Sequence, residues 1–418
     1  MMMRQGKRTA SAQSSCEAGC EVERTTWRVG FGLKLLKGRK IERPLSAALV
    51  VGMLPKLEEI DKRRKKYFRG AASADVERTC AVIGKIRNHQ DAGHGAHAVK
   101  IGAKLLGNLE RKYGCEHPIL APVLFECATA QAAIGDMRKA EALHLQVCWV
   151  IEGAYGAISC EIVSALHTLS IFYIESGMQQ KASTVLSTVR MITGRLQVDE
   201  NLLAKTEAIA GRQAKASGKT SNAIRCFIQA EQHFAACGGR YVKERAKLRR
   251  LIAECLCELG QPERAAAELV QALELVIRKD GACFPSAASR IYLDLSRLTA
   301  RTSSYEDACI FAQKAEKAAR IGCGAISRQR AECLANLGAL YNRVCSYENA
   351  VWALEEALAV FDQIGPSDPI MIADIYDLLF DVFQAQGKAA EAQTYLILSR
   401  AARRTLADLE STQERIVH

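Results

Sequence analysis

The chain has 418 residues, 49% hydrophobic, with a formal net charge of +11. No apolar run approaches the ~20 residues needed to span a bilayer; residues 45–54 form the longest candidate. Few prolines and abundant Ala and Leu favour helix, and no alternating Val, Ile and Thr run argues for a sheet. The 16 cysteines include no Cys-x-x-Cys pair. Cys16 with Cys20 and Cys255 with Cys257 are the close pairs, and neither has a His nearby to complete a zinc site. The cysteines therefore read as buried free thiols in a reducing compartment, cytosol or nucleus.

Residues 1–73 form a basic arm, expected to be partly disordered. Residues 1–70 hold 17 Lys and Arg against 7 Asp and Glu, nearly the whole excess charge of the chain. A solvated arm is the plain reading. A nuclear import signal or nucleic-acid patch at residues 62–66 is the next. A mitochondrial presequence is suggested by Arg4, Lys7 and Arg8 but spoiled by Glu17, Glu21 and Glu23. Residues 27–36 offer a short basic amphipathic piece, weakened by Gly30 and Gly32.

Residues 74–120 read as a candidate degenerate repeat, with Gly93 and Ala98 as its markers. His89, His94 and His97 lie close together there, but with two glycines between them they suggest a turn before a metal site.

From residue 121 to about 400 a helix-turn-helix unit recurs seven times. The markers are a small turn residue and an alanine five positions later: Gly135 and Ala140, Gly177 and Ala182, Gly218 and Ala223, Gly260 and Ala265, Ser303 and Ala308, Cys345 and Ala350, Gly387 and Ala392. The turn-to-turn steps are 42, 41, 42, 43, 42 and 42 residues, which is the signature of a solenoid. The alanine is expected where the second helix crosses the first, since a longer side chain would push the axes apart. Seven residues before each turn stands a second small residue at the same crossing: Ala128, Ser170, Gly211, Ala253, Ser296 and Gly338. Phe380 breaks the rule and predicts looser packing in the last unit. Ala216-Ser217-Gly218-Lys219-Thr220 ends like a phosphate-binding loop, but Gln213 stands where a glycine is required, and no strand precedes it. The last helix is expected to reach Leu409 with Arg400, Arg403 and Arg404 on its outer side, leaving a frayed tail within residues 401–418.

These markers resemble the tetratricopeptide repeat, and the 42-residue step is similar to that of the kinesin light chain subgroup. Tyr113-Gly114-Cys115-Glu116-His117-Pro118 and Gly365-Pro366-Ser367-Asp368-Pro369 are similar to the linker of that subgroup. Ser183-Thr184 and His144 depart from its pattern. The resemblance implies an all-α, right-handed superhelical solenoid whose first helices line an inner groove.

The groove face falls 13, 10, 6, 3 and 2 residues before each turn marker, one side of a helix. Pro122, Phe125, Thr129, Ala132, Ser164, His167, Ile171 and Ile174 make its first two units apolar and neutral. It turns basic at Lys205, Arg212 and Lys215, at Lys247 and Arg250, and at Arg290, Arg297 and Arg301. Asn342 and Arg343 follow, and Asp374, Asp377 and Asp381 reverse the sign in the last unit. A solvated face is the bland reading, but like charges on one wall repel, and an acidic partner would relieve that repulsion. No nucleophile-base pair, metal box or cofactor fingerprint stands out. The expectation is a non-enzymatic adaptor, without cofactor, binding an extended acidic peptide, the kind of ligand the resemblance implies. A nucleic-acid-associated protein and an accessory region of an enzyme are the alternatives.

Overall fold

The computed structural model describes residues 71–91, 94–277, 284–364 and 369–417, with side chains up to residue 404. Residues 1–70 of the basic arm, with Cys16 and Cys20, the Gly93 turn marker and residues 365–368 of the second linker lie outside the described residues. Two compact units divide the chain, Met1–Phe172 and Tyr173–His418. The boundary falls inside one predicted first helix, a division that the unbroken sequence ladder does not announce.

Among the described residues of the first unit, α1 (Ser73–Asp91) pairs with α2 (Gly95–Tyr113) and α3 (Leu120–Ala133) with α4 (Met137–Tyr155); α5 (Cys160–Glu175) crosses the boundary. The second unit continues with α6 (Gln179–Thr193), α7 (Glu200–Ala216) and α8 (Thr220–Ala236). A 3-10 turn at Gly239–Tyr241 then leads into α9 (Val242–Glu258) and α10 (Pro262–Val276). The pairs α11 (Pro285–Thr302) with α12 (Tyr305–Cys323) and α13 (Arg328–Arg343) with α14 (Tyr347–Ile364) follow. The last pair is α15 (Pro369–Ala385) with α16 (Ala389–Val417). Every regular element described is helical, as the composition implies. Helix α16 continues to Val417, past the point where fraying was expected, because its sequence holds no Gly or Pro to stop it.

The turn markers share a backbone reason. Gly135, Gly177, Gly218, Gly260 and Gly387 all have φ between 71° and 86°, the left-handed region that glycine enters without steric cost. The residue after each glycine donates its N–H to the carbonyl five positions before the glycine's successor, as in Met178 to Tyr173 at 2.8 Å and Gln261 to Leu256 at 2.9 Å. This closes each first helix with a Schellman motif. Cys345 takes the same position with φ 58° and closes it the same way, Ser346 N–H to Tyr341 O at 2.8 Å. Ser303 is the exception. Its helix ends with a plain 2.8 Å bond to Thr299 O, and Ser304 caps the next helix by accepting from Asp307 N–H.

The crossing alanines are buried: Ala140, Ala182, Ala223, Ala265, Ala308 and Ala350 expose none of their surface. A Cβ placed on Gly211 would stand 2.5 Å from the Phe227 ring, and one on Gly338 2.5 Å from Leu354 Cγ. The helices therefore approach at these points as closely as backbone allows. Phe380, the large residue at the same register, is half-buried.

The core also holds polar links that the apolar pattern does not reveal. Arg330 is buried and reaches Glu316 at 2.8 Å, Glu356 at 2.9 Å and Ala325 O at 3.0 Å. Arg245 and Arg249 hold Glu231 in the same way two units earlier. Both sets tie a second helix to the first helix of the next unit. In the first unit, buried His144 packs between Phe125 and Phe172, with ring centroids 5.9 and 4.8 Å away. Burial pushes its pKa down to about 3. The imidazole is thus a neutral core residue, standing where the repeat pattern favours Leu or Phe.

Candidate functional site

The first-helix wall of the second unit carries every predicted groove cation. Its helices α9, α11, α13 and α15 touch in succession.

The structure sorts the predicted cations into two groups. Three of them are spent on the neighbouring first helix. Arg212 Nη2 lies 3.1 Å from Glu175 Oε1. Lys215 Nζ reaches Glu254 at 2.5 Å and Glu258 at 3.3 Å. Arg250 Nε lies 2.5 Å from Asp294. Each pair joins one repeat to the next, about one period apart in sequence. Glu254 and Glu258 share their helix with Lys247 and Arg250. In the structure those two acids turn instead to Lys215 of the previous unit, and Arg250 turns to the following one. Stacking places residues one repeat apart beside each other, and that overrides the neighbourhood along a single helix.

In the second group, Lys247, Arg290, Arg297, Arg301 and Arg343 form no ion pair among the described residues. Arg290 hydrogen-bonds a neutral side chain, Gln329 Oε1, at 3.2 Å. Lys247, Arg297, Arg301 and Arg343 are exposed with no ion pair. Lys205 is exposed and Asn342 is half-buried. The wall's uncompensated charge therefore concentrates on α9 and α11, centred on the predicted triplet Arg290, Arg297 and Arg301.

Two of the three predicted acids of the last unit are also paired. Arg403 Nη2 lies 3.0 Å from Asp374 and also bonds Asp377. The sequence reading placed Arg403 outward on the last helix. Because α16 runs back along α15, its distal half returns to the start of α15 and brings Arg403 to those carboxylates. One cation against three carboxylates cancels only part of the sign reversal predicted there, and Asp381 stays exposed.

Among the described residues no group of His, Cys, Asp and Glu has the arrangement of a metal site. His89 lies 4.7 Å from His97 and 6.2 Å from His94 between ring centroids, so the three rings are packed together. Cys127 and Cys148 are buried thiols whose pKa burial raises, the first to about 12. Lys219 and Thr220 start α8, and their turn is one rung of the ladder.

Among solved structures the chain is similar to a Signal Transduction ATPase with Numerous Domains from Pyrococcus horikoshii that carries a tetratricopeptide repeat sensor. The TM-score is 0.56 at 15% identity, covering 75% of this chain and 46% of that one. The chain folds as a tetratricopeptide-repeat solenoid. Kinesin light chain nearly identical TPR-like repeats from Podosopora anserina match with a TM-score of 0.41 at 20% identity, over 49% of this chain and 97% of that one. PilF of Pseudomonas aeruginosa matches with 0.41 at 17%, over 59% and 97%. Scores at that level add no argument to the 0.56 match. Comparison with family models finds no match, and neither does comparison with curated proteins. Among the described residues of this solenoid, no helix is long and apolar enough to cross a membrane.

Proposed function

We propose that this repeat array is a protein-interaction scaffold that binds an extended acidic peptide along the first-helix wall of its second unit. The observation that carries this reading is the uncompensated cation set on α9 and α11: Lys247, Arg290, Arg297 and Arg301. Arginine holds a carboxylate through two parallel hydrogen bonds, so a wall rich in free guanidinium groups suits acidic side chains. Acids flank the set on the same wall: Glu254 and Glu258 are exposed, and Asp294 and Glu332 are half-buried. A peptide can place its acids only where cations wait.

The test is charge reversal, read by fluorescence anisotropy with a fluorescein-labelled hexaglutamate peptide at fixed salt. Changing Arg290, Arg297 and Arg301 together to Glu is expected to weaken binding about tenfold or more, because reversal adds repulsion to the lost contacts. The same change at Lys314 and Lys317, exposed on the second helix α12, is expected to do much less. Equal losses at both places would refute a defined wall site. Tighter binding of a single-stranded oligonucleotide than of the peptide would favour the nucleic-acid alternative.

A further inference from the structure

Two second helices of the second unit, α12 and α14, lie side by side. The Arg330 guanidinium joins them, reaching Glu316 of α12 at 2.8 Å and Glu356 of α14 at 2.9 Å. Each helix buries one side: Ala308, Ala312, Ala315 and Ala319 on α12, and Ala350, Ala353, Leu354 and Ala357 on α14. The opposite side of each is exposed. Ile310 and Trp352 stand there in the same register, each two residues after its crossing alanine, and are 49% and 56% exposed. A Trp left in water exposes a large apolar area, and binding interfaces are enriched in this residue.

Charge is divided between the two helices. The exposed side of α12 carries Lys314, Lys317 and Arg320 beyond its first turn. That of α14 carries Glu348, Glu355 and Asp362, and α14 holds no Lys or Arg at all. Among the described residues none of these six side chains forms an ion pair. On α14 the order Glu348, Trp352, Glu355, Ala359, Asp362 advances by alternate steps of four and three residues, and so does Ile310, Lys314, Lys317, Ile321 on α12. That spacing makes a seam which another helix can follow.

We infer that this face docks a second copy of the chain, with α12 of each copy laid on α14 of the other. A two-fold axis parallel to the helices and midway between them produces this exchange, and it uses the same patch on both copies. Ile310 then meets Trp352 twice over. Lys314, Lys317 and Arg320 meet Glu355 and Asp362 twice over. Glu306 and Glu348 fall at the edge, in first turns, where helix N-termini favour acids. An unrelated partner would have to bring the same division of charge in exchanged order, whereas a second copy has it by construction. The face belongs to second helices, so the first-helix wall is not used by it.

Sedimentation equilibrium of the full chain at fixed salt and up to about 100 μM is expected to show monomer and dimer in exchange. Trp352→Glu is expected to raise the dissociation constant about tenfold or more. Two charge-reversed chains test the exchange itself: Lys314, Lys317 and Arg320 to Glu in one, and Glu348, Glu355 and Asp362 to Lys in the other. Each alone is expected to be monomeric, because like charges then face each other, and their mixture is expected to pair one to one. Thermal melts check each fold, and the altered side chains are exposed, so midpoints near that of the parent are expected. A parent that stays monomeric overturns the proposal. So does a Trp352→Glu variant that dimerises like the parent, or a mixture of folded reversed chains that does not pair.

Discussion

Gly338 offers the sharpest test of the repeat register. Glycine in a helix interior normally gains about 0.8–1.0 kcal/mol on replacement by Ala. Here the new Cβ would lie 2.5 Å from Leu354 Cγ, 2.8 Å from its Cδ2 and 3.3 Å from Ala350 O. Carbon atoms prefer about 3.5–4.0 Å, so the overlap is roughly 1 Å. Leu354 and Ala350 are fully buried and have nowhere to retreat. Overpacking of this kind costs about 1–3 kcal/mol, which outweighs the helix gain. Gly338→Ala should therefore destabilise the second unit by about 1 kcal/mol net, read by urea denaturation. Leu354→Ala alone should cost about 2–5 kcal/mol for its cavity. The double variant should cost less than the sum by about 1 kcal/mol or more, because each change relieves the other. Additive costs, or a Gly338→Ala variant more stable than the parent, would refute the proposed helix crossing.

Cys345 holds a left-handed conformation that costs a non-glycine residue about 1–2 kcal/mol. Cys345→Gly should thus raise the melting midpoint of the second unit, and a lowered midpoint would speak against this account of the turn. His144 gives a pH dependence. Its folded pKa of about 3 lies below the ordinary 6.5, so the unfolded chain binds more protons between those values. This contribution to stability is complete above pH 6.5 and falls by about 1.4 kcal/mol per pH unit as the pH drops towards 3. Denaturation of the parent and of His144→Leu between about pH 7 and 5 should show the slope flattened in the variant; parallel curves would contradict the burial argument.

The fold was legible because its rules are local. A glycine at most turns, an alanine five residues on and, Phe380 apart, a small residue seven before are demands of backbone conformation and close approach, and each can be read within one repeat. Cys345 could be recognised as a turn marker by its place in the period, although only the backbone explains its positive φ. The site was legible in part. Lys247, Arg290, Arg297 and Arg301 were read on the correct helices. The spending of Arg212, Lys215 and Arg250 was not, because their partners lie a whole repeat away. A search for opposite charges 37 to 44 residues apart would have found Arg212 with Glu175 and Arg250 with Asp294. The buried Arg330 set left a similar trace, since Glu231 with Arg245 and Glu316 with Arg330 recur at the same spacing. The division within α5 left no trace in the markers.

Selective acylation of lysines tests the central claim most directly, because it reports where an acidic peptide sits without altering the wall. Lys247 has a depressed pKa and is exposed, so at about pH 8.5 more of it is the reactive free amine than of an ordinary lysine. Limited treatment with acetic anhydride, followed by mass spectrometry, is expected to modify Lys247 ahead of Lys314 and Lys317. Saturating hexaglutamate is expected to slow Lys247 several-fold while leaving Lys314 and Lys317 unchanged. Protection spread evenly over all three lysines, or none at Lys247, would contradict a peptide seat on the first-helix wall.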